Sequence, residues 1–222
     1  ASEERPGLLQ LWHISVPGGD VSRVTNDLSD YAAPSVTSGK TVVAAVQINQ
    51  NSNIWSVAAN ENGFPGKQLT FANGGHNGRW GVSRADNGNI VYTSHATGNS
   101  ELRVVSSDGS VDRQVTDGIG ICVFPSFSRD GRYIVFNLEK DSESGIWRID
   151  PDGKDLTFLT RGTLPTFSPD SQRVFYYINR VVWYIPVEGG EPVRIQLPER
   201  DLATAPVVSP DSTMIAANYL VG

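Results

Sequence analysis

Apolar and polar positions between residues 125 and 160 follow one pattern, in which short apolar runs are separated by polar turns. The runs 133–136 and 146–149 are rich in aromatic and β-branched residues, as strands are. Asp-Gly pairs at 130–131 and 152–153 fall between the runs, and glycine accepts the positive φ of a tight turn without a Cβ clash. The segment therefore predicts four short strands joined by three turns.

The same unit recurs along the whole chain. The predicted third strand has an apolar residue followed by one landmark position, occupied in chain order by Trp12, Trp55, Arg103, Trp147 and Trp183. These landmarks are 36 to 48 residues apart, and a Gly-containing turn follows each of them. This period and four-strand content predict the blades of a β-propeller and not the coils of a solenoid. The recurrence also predicts that the four tryptophans pack the blades together.

In these motifs the chain resembles the TolB-like family of β-propellers, whose repeats are also called WD40-like or PD40 repeats. The resemblance lies in the Ile-Trp strand, the Asp-Gly turn, the Leu-Thr strand end and the Pro-x-Phe-Ser-Pro-Asp opening, best seen at 165–170. It implies an extracytoplasmic, periplasmic location in a bacterium. Such blades occur in TolB, in sensor domains fused to bacterial serine/threonine kinases and regulators, and in gating domains of peptidases.

The phase of the repeats predicts how one domain, 1–222, would close. The first recognisable strand is a third strand and the last is a second strand, so the two ends are complementary halves of one blade. We expect five blades in all, of which the last is a composite of the two termini: 34–70, 80–116, 125–160, 165–195, and 206–219 with 9–25. The alternative is a fragment of a six- or seven-bladed propeller.

Composition narrows the possible partners. With 18 basic and 24 acidic residues the net charge is −6, which argues against nucleic acid because phosphate binding requires a concentrated basic face. No apolar run is long enough to cross a bilayer, so we expect no membrane insertion by this domain. The one cysteine, Cys122, excludes an internal disulfide and is expected to be a buried packing residue.

The connections into the first strands vary most, and they are expected to lie on one face of a propeller. The richest is 73–80, Asn-Gly-Gly-His-Asn-Gly-Arg-Trp, in which His76, Arg79 and Trp80 combine a titratable ring, a bidentate donor and a large aromatic. Tyr31 and Phe124 lie on facing connections and complete the predicted binding surface. In the competing interpretation Trp80 replaces the proline that opens a first strand and only packs against its neighbour.

No catalytic or cofactor motif is present. The chain has no Gly-x-Ser-x-Gly, His-Glu-x-x-His or Cys-x-x-Cys sequence, so neither catalytic residues nor a metal site nor a cofactor are expected. The favoured hypothesis is a non-enzymatic module that binds a protein partner or senses a small ligand on its loop face. The alternative is the propeller of an enzyme, a lyase or a peptidase gating domain, whose catalytic part lies outside this chain.

Overall fold

The computed structural model describes residues 9–26, 29–36, 43–48, 51–57, 66–71, 75–140, 143–195 and 206–216. Within these ranges the chain forms strands and no helix. The strands are β1 (Trp12–Ile14), β2 (Val21–Arg23), β3 (Asp30–Val36), β4 (Val43–Ile48), β5 (Asn51–Ser52), β6 (Trp55–Ser56), β7 (Lys67–Gln68), β8 (Gly75–Arg84), β9 (Ile90–Ser94), β10 (Glu101–Val105), β11 (Asp112–Gln114), β12 (Ile121–Phe127), β13 (Ile134–Glu139), β14 (Gly145–Ile149), β15 (Thr157–Thr160), β16 (Thr163–Phe167), β17 (Arg173–Ile178), β18 (Val181–Pro186), β19 (Val193–Arg194), β20 (Val207–Val208) and β21 (Ile215–Ala216).

Three sheets are antiparallel meanders of four consecutive strands, in the orders β8 to β11, β12 to β15 and β16 to β19. The first of them has a fifth, parallel strand, β5, next to β8. Shorter antiparallel pairs are formed by β1 with β2, β3 with β4, β6 with β7, and β20 with β21. The all-β class predicted from the sequence is therefore confirmed, and three of the predicted four-stranded antiparallel units are formed.

The sheets stack in chain order, and both faces of a central sheet are buried. Along β13, Ile134, Phe136 and Leu138 pack against the sheet β8 to β11, whereas Val135 packs against the sheet β16 to β19. This alternation follows from the two-residue period of a strand. Because both faces of this sheet are buried, its second strand, β13, is apolar almost throughout. Asn137 is the one polar residue between 134 and 138.

The prediction that all four recurring tryptophans pack the blades is wrong for two of them. Trp147 and Trp183 lie against the apolar clusters between sheets, and the ring of Trp147 meets the ring of Phe158 edge to face at 5.4 Å. Trp12 is 56 % exposed and Trp55 is 51 % exposed. Trp12 and Trp55 lie opposite Arg23 and Gln68 in two-stranded pairs, so no aromatic partner from the adjacent strand covers them.

The first strands β3, β8, β12 and β16 share a break in register at the same place. The pairing register shifts at Ala33, Gly81, Phe124 and Leu164, and all four residues have positive φ. Three of them precede a proline, which opens the remainder of the strand. The part of the strand before the bulge pairs with the same second strand, and it joins the connections of the predicted loop face.

The bulge also corrects the alignment of Trp80. Ser83 lies opposite Val91 as Ser126 lies opposite Val135, so Val82 and not Trp80 takes the place of Pro125. Gly81 is then the equivalent of Phe124, and its φ is 125°. A Cβ on Gly81 would lie 2.8 Å from Cδ of Pro125 and 3.1 Å from Cα of Phe124. Trp80 therefore lies before the bulge, in the part of β8 that belongs to the loop face.

The buried second strand gives the first prediction. Phe136→Ala should lower the free energy of unfolding by about 3–5 kcal/mol, because the side chain is fully buried between two sheets and its removal leaves a cavity. Val111→Ala is the control, since Val111 is 55 % exposed and its truncation should cost less than about 0.5 kcal/mol. Urea unfolding of the two variants measures both values, and similar losses would contradict the described core.

The close approach at Gly81 gives the second prediction. Gly81→Ala should cost about 2–4 kcal/mol, since it adds a backbone clash to the strain of a positive φ. Gly118→Ala isolates the strain, because Gly118 has a φ of 62° and no heavy atom within 4 Å of the new Cβ. We expect about 1 kcal/mol there. Denaturant midpoints measure the loss of stability in each variant. An equal loss at both positions would show that residue 81 does not contact residues 124 and 125.

Candidate functional site

A short parallel pairing fixes the beginning of β8. Asn51 lies opposite Gly75 and Ser52 opposite His76 in the only parallel strand pair among the described residues. The hydroxyl of Ser52 donates a hydrogen bond of 3.0 Å to the carbonyl oxygen of Asn77. The polar segment after β4 therefore holds the connection that enters the next sheet.

The connection between β9 and β10 holds the same segment from the other side. The backbone N–H of His95 donates to the carbonyl oxygen of His76 at 3.2 Å, and the two imidazole rings meet edge to face at 6.3 Å. Ser94 Oγ donates to Oδ1 of Asn77 at 2.8 Å. His76 is only 7 % exposed as a result, although it lies in a glycine-rich stretch.

Arg79 lies between an imidazole and an indole. Its Nη1 is 3.2 Å from Nε2 of His76, and its Cζ is 5.5 Å from the centre of the Trp80 ring. A guanidinium can only donate, so Nε2 of His76 accepts and the neutral ring carries its proton on Nδ1. Two contacts thus orient a side chain that remains exposed.

Trp80 continues the row of contacts to Phe124. The two rings meet edge to face, with centroids 6.2 Å apart and an interplanar angle of 87°. Both side chains are half-buried. Phe124 is held by the bulge of β12, where its φ is 54°. The geometry of one sheet's bulge therefore sets the aromatic end of the surface formed by the neighbouring sheet.

Four of the five predicted site residues thus form one continuous row, which we call the loop-face row: His76, Arg79, Trp80 and Phe124. The fifth, Tyr31, lies on β3, where its hydroxyl accepts a hydrogen bond of 3.0 Å from Nε2 of Gln47. The adjoining Asp30 is close enough for its carboxylate to act on the charge of His76. Tyr31 therefore lies on the neighbouring hairpin, outside the four residues that these contacts join.

The electrostatic environment keeps His76 neutral. Burial lowers the pKa of the His76 imidazole below its ordinary value of 6.5, and the positive charge of Arg79 lowers it further, while Asp30 acts in the opposite direction. None of the ion pairs in the described part of the chain includes Arg79. The row therefore presents a positive charge held by a neutral acceptor and an aromatic face.

An open cleft of about 490 Å³ lies beside His76 and Arg79. Its walls are formed by Asn51, Ser52, His76, Asn77, Gly78 and Arg79. The sequence interpretation omitted Asn51 and Ser52. The polar run 49–53, which follows an apolar strand at the position of the other connections between second and third strands, is the signal that could have identified them.

The other reactive groups of this region are buried. Ser100 Oγ and Nε2 of His95 are 2.7 Å apart, but the two residues are only 2 % and 3 % exposed. Cys122 is fully buried, as predicted, and burial raises the pKa of its thiol to about 12. No group of three or more His, Cys, Asp and Glu residues arranged for a metal ion occurs within the described ranges. The same described residues include no helix that is long and apolar enough to cross a membrane.

No protein-family model matches the chain. Among curated proteins, an uncharacterized protein from Agrobacterium fabrum is 32 % identical over 73 residues, which span 31 % of this chain and 25 % of that protein. The match thus covers a quarter of the relative's length.

Solved structures show a broader likeness. A TolB-type protein from Agrobacterium tumefaciens has a TM-score of 0.61 at 18 % identity over 96 % of this chain and 84 % of its own. For TolB from Acinetobacter baumannii the TM-score is 0.58 at 17 % identity, over 93 % of this chain and 53 % of that one. An oligogalacturonate lyase in complex with manganese has a TM-score of 0.58 at 10 % identity, over 93 % and 63 %. At these identities the likeness concerns the fold alone, and it shows a fold like that of TolB and other β-propeller proteins.

Proposed function

We propose that this chain is a non-enzymatic binding module, a stack of rigid sheets whose loop face binds a protein partner or a small ligand. The observation that carries the proposal is the position of Arg79, which is exposed, lies between His76 and Trp80, and is not part of an ion pair in the described part of the chain. A charged side chain that is already oriented loses little rotamer entropy when it binds.

The composition of the loop-face row supports the same function. Tryptophan, tyrosine and arginine are enriched among the residues that dominate binding energies, and the predicted binding surface combines Tyr31 with Arg79 and Trp80. The row stands on loops and strand starts fixed by β5, β9 and the bulge of β12. Recognition surfaces on many proteins consist of loops that a rigid scaffold positions in this way.

The alternative, a propeller that belongs to an enzyme, has support from the fold likeness alone. The buried pair Ser100 and His95 is closed to a substrate, so it offers no argument for catalysis by the described residues. The proposal includes an extracytoplasmic, periplasmic location in a bacterial protein. Its support is the resemblance of the repeats to the TolB-like family. The proposal is compatible with a parent protein that also has a kinase, regulator or hydrolase domain.

We further propose a single domain with the five blades given above, in which the two chain ends share one blade. In the described residues β1 with β2 and β20 with β21 are separate pairs, and both expose apolar side chains: Trp12 by 56 %, Ile14 by 60 %, Val207 by 62 % and Met214 by 66 %. Trp12 lies opposite Arg23 as Trp183 lies opposite Arg194. Val208 lies opposite Ile215 as Phe167 lies opposite Val174.

This equivalence supplies a register for the composite blade. Since Val174 pairs with Ile185 and Phe175 with Tyr184, Ile215 should pair with Ile14 and Ala216 with His13. Pairing in this register would give each hairpin a neighbouring strand at its free edge. The fragment alternative leaves the two hairpins on different blades.

A double substitution tests the binding function. Arg79→Ala with Trp80→Ala should weaken binding of the physiological partner at least about tenfold, because it removes the oriented charge and its aromatic support. The control is Val82→Ala with Arg84→Ala, which removes an exposed apolar residue and an arginine from the same strand beyond the bulge.

The immobilised chain captures proteins and small molecules from the source extract, and each candidate is then purified and titrated against all three forms by calorimetry. Both double variants should keep the thermal transition of the parent. Equal binding by the loop-face variant, or turnover of a substrate that depends on one of these residues, would refute the proposal.

A cysteine pair tests the closing blade. His13→Cys with Ala216→Cys should form an intramolecular disulfide on mild oxidation, because residues directly opposite in an antiparallel pair have Cα atoms about 4.5–5.5 Å apart. The native Cys122 does not compete, since it is fully buried. His13→Cys with Ser212→Cys places the second thiol in the turn and is the control. Intact mass after alkylation reports the bond, and its absence in the first pair would favour a fragment of a larger propeller.

A further inference from the structure

Five polar or charged residues and one glycine line the cleft beside the loop-face row. They are Asn51, Ser52, His76, Asn77 and Arg79, with Gly78 between the last two. Its volume of about 490 Å³ is within the range of small-ligand sites, roughly 300–1,000 Å³. A site of this size lined by amides, a hydroxyl and a guanidinium suits a ligand that is recognised through hydrogen bonds.

Arg79 is the only residue of this lining with a permanent charge. Its contact with His76 occupies Nη1, one of three nitrogens on a guanidinium that has five N–H donors. The Trp80 ring lies near the guanidinium at 5.5 Å. The remaining donors are therefore presented by a side chain whose orientation is already set.

We propose that this cleft binds a carboxylate, and that Arg79 recognises it. The inference rests on the proposed function in one respect, because it assigns a ligand class to the same binding face. A planar carboxylate accepts two parallel hydrogen bonds from one guanidinium. A single cation near the opposing Asp30 matches a single negative charge better than the two charges of a phosphate. The carboxylate belongs either to a free small acid or to the C-terminus of a peptide.

His76 links this binding to pH. The charged and titratable groups around its ring are Arg79 on the same strand, Asp30 on β3 and His95 after β9, whereas β5 contributes only uncharged residues. In the free cleft, burial and Arg79 keep the imidazole neutral. Protonation would place a hydrogen on Nε2 and remove the acceptor that orients Arg79. Carboxylate binding should therefore weaken as the pH falls from about 7.5 to about 5.5, although the carboxylate itself remains ionised over this range.

The test is an NMR titration of the full chain with benzoate and with its neutral analogue benzamide, observed at the side-chain nitrogens of Arg79 and His76. Benzoate should shift both sets of signals and benzamide should not.

Arg79→Gln should raise the dissociation constant for benzoate about tenfold or more, since hydrogen bonds to charged groups are lost. Arg84→Gln, which removes an exposed arginine from the same strand, should leave it unchanged. In His76→Gln the pH dependence between 7.5 and 5.5 should disappear.

Two comparisons identify the source of the carboxylate and separate this inference from the proposed function. A short acetylated peptide with a free C-terminus that binds better than benzoate, while its amidated form does not bind, would assign the site to peptide ends. The reverse order would assign it to small acids.

Equal responses to benzoate and benzamide, or to benzoate and phosphate, would overturn the inference. Partner binding that depends on Arg79 and Trp80 would still uphold the proposed function in that case. Benzoate binding without such a partner would uphold the cleft alone.

Discussion

Contact between successive sheets is the constraint on which the rest of the structure depends. A sheet of four short strands has too little surface to enclose a core, so each one buries both faces against its neighbours. Along β13 the side chains alternate between two neighbouring sheets, with Phe136 on one side and Val135 on the other. Residues that do not pack between sheets then lie mainly where strands end. The loop face is for this reason the place where glycines, a histidine, an arginine and aromatics come together.

The connections on that face are tied to strands by buried polar side chains. Glu101, at the start of β10, accepts hydrogen bonds from Thr116 Oγ1 and from the backbone N–H of Gly118, the latter at 2.8 Å. At the equivalent position in the first repeat, Gln10 donates to the carbonyl oxygen of Ser29 at 2.7 Å. Buried polar groups that find partners in this way stabilise one loop conformation. The connections that carry Tyr31 and Phe124 are thus fixed by their own repeats before any ligand binds.

The repeats in the sequence were enough to predict the strands and turns of each unit. Features that depend on a single contact between distant residues were missed. Five copies of a strand and turn pattern were enough to predict the four-stranded units, because alternation and Asp-Gly turns are local. The parallel pairing of Asn51 and Ser52 with Gly75 and His76 depends on a contact across more than 20 residues and has no repeated pattern. The register of Trp80 was misjudged for a related reason. Between Asn77 and Val82 the strand β8 advances five residues while its partner advances two. Nothing in the sequence marked these extra residues, so Gly81 resembled an ordinary loop glycine.

The electrostatics of the loop-face row explain why a chain with a net charge of −6 keeps an arginine unpaired by carboxylates. A carboxylate partner would neutralise Arg79 and occupy the donors that face the cleft. The lone pair of a neutral imidazole orients the guanidinium and leaves its charge available. This arrangement requires that His76 stay unprotonated, which its burial ensures at neutral pH. The same burial depends on β5 and on the connection after β9, so the charge offered to a ligand is a consequence of how neighbouring sheets meet.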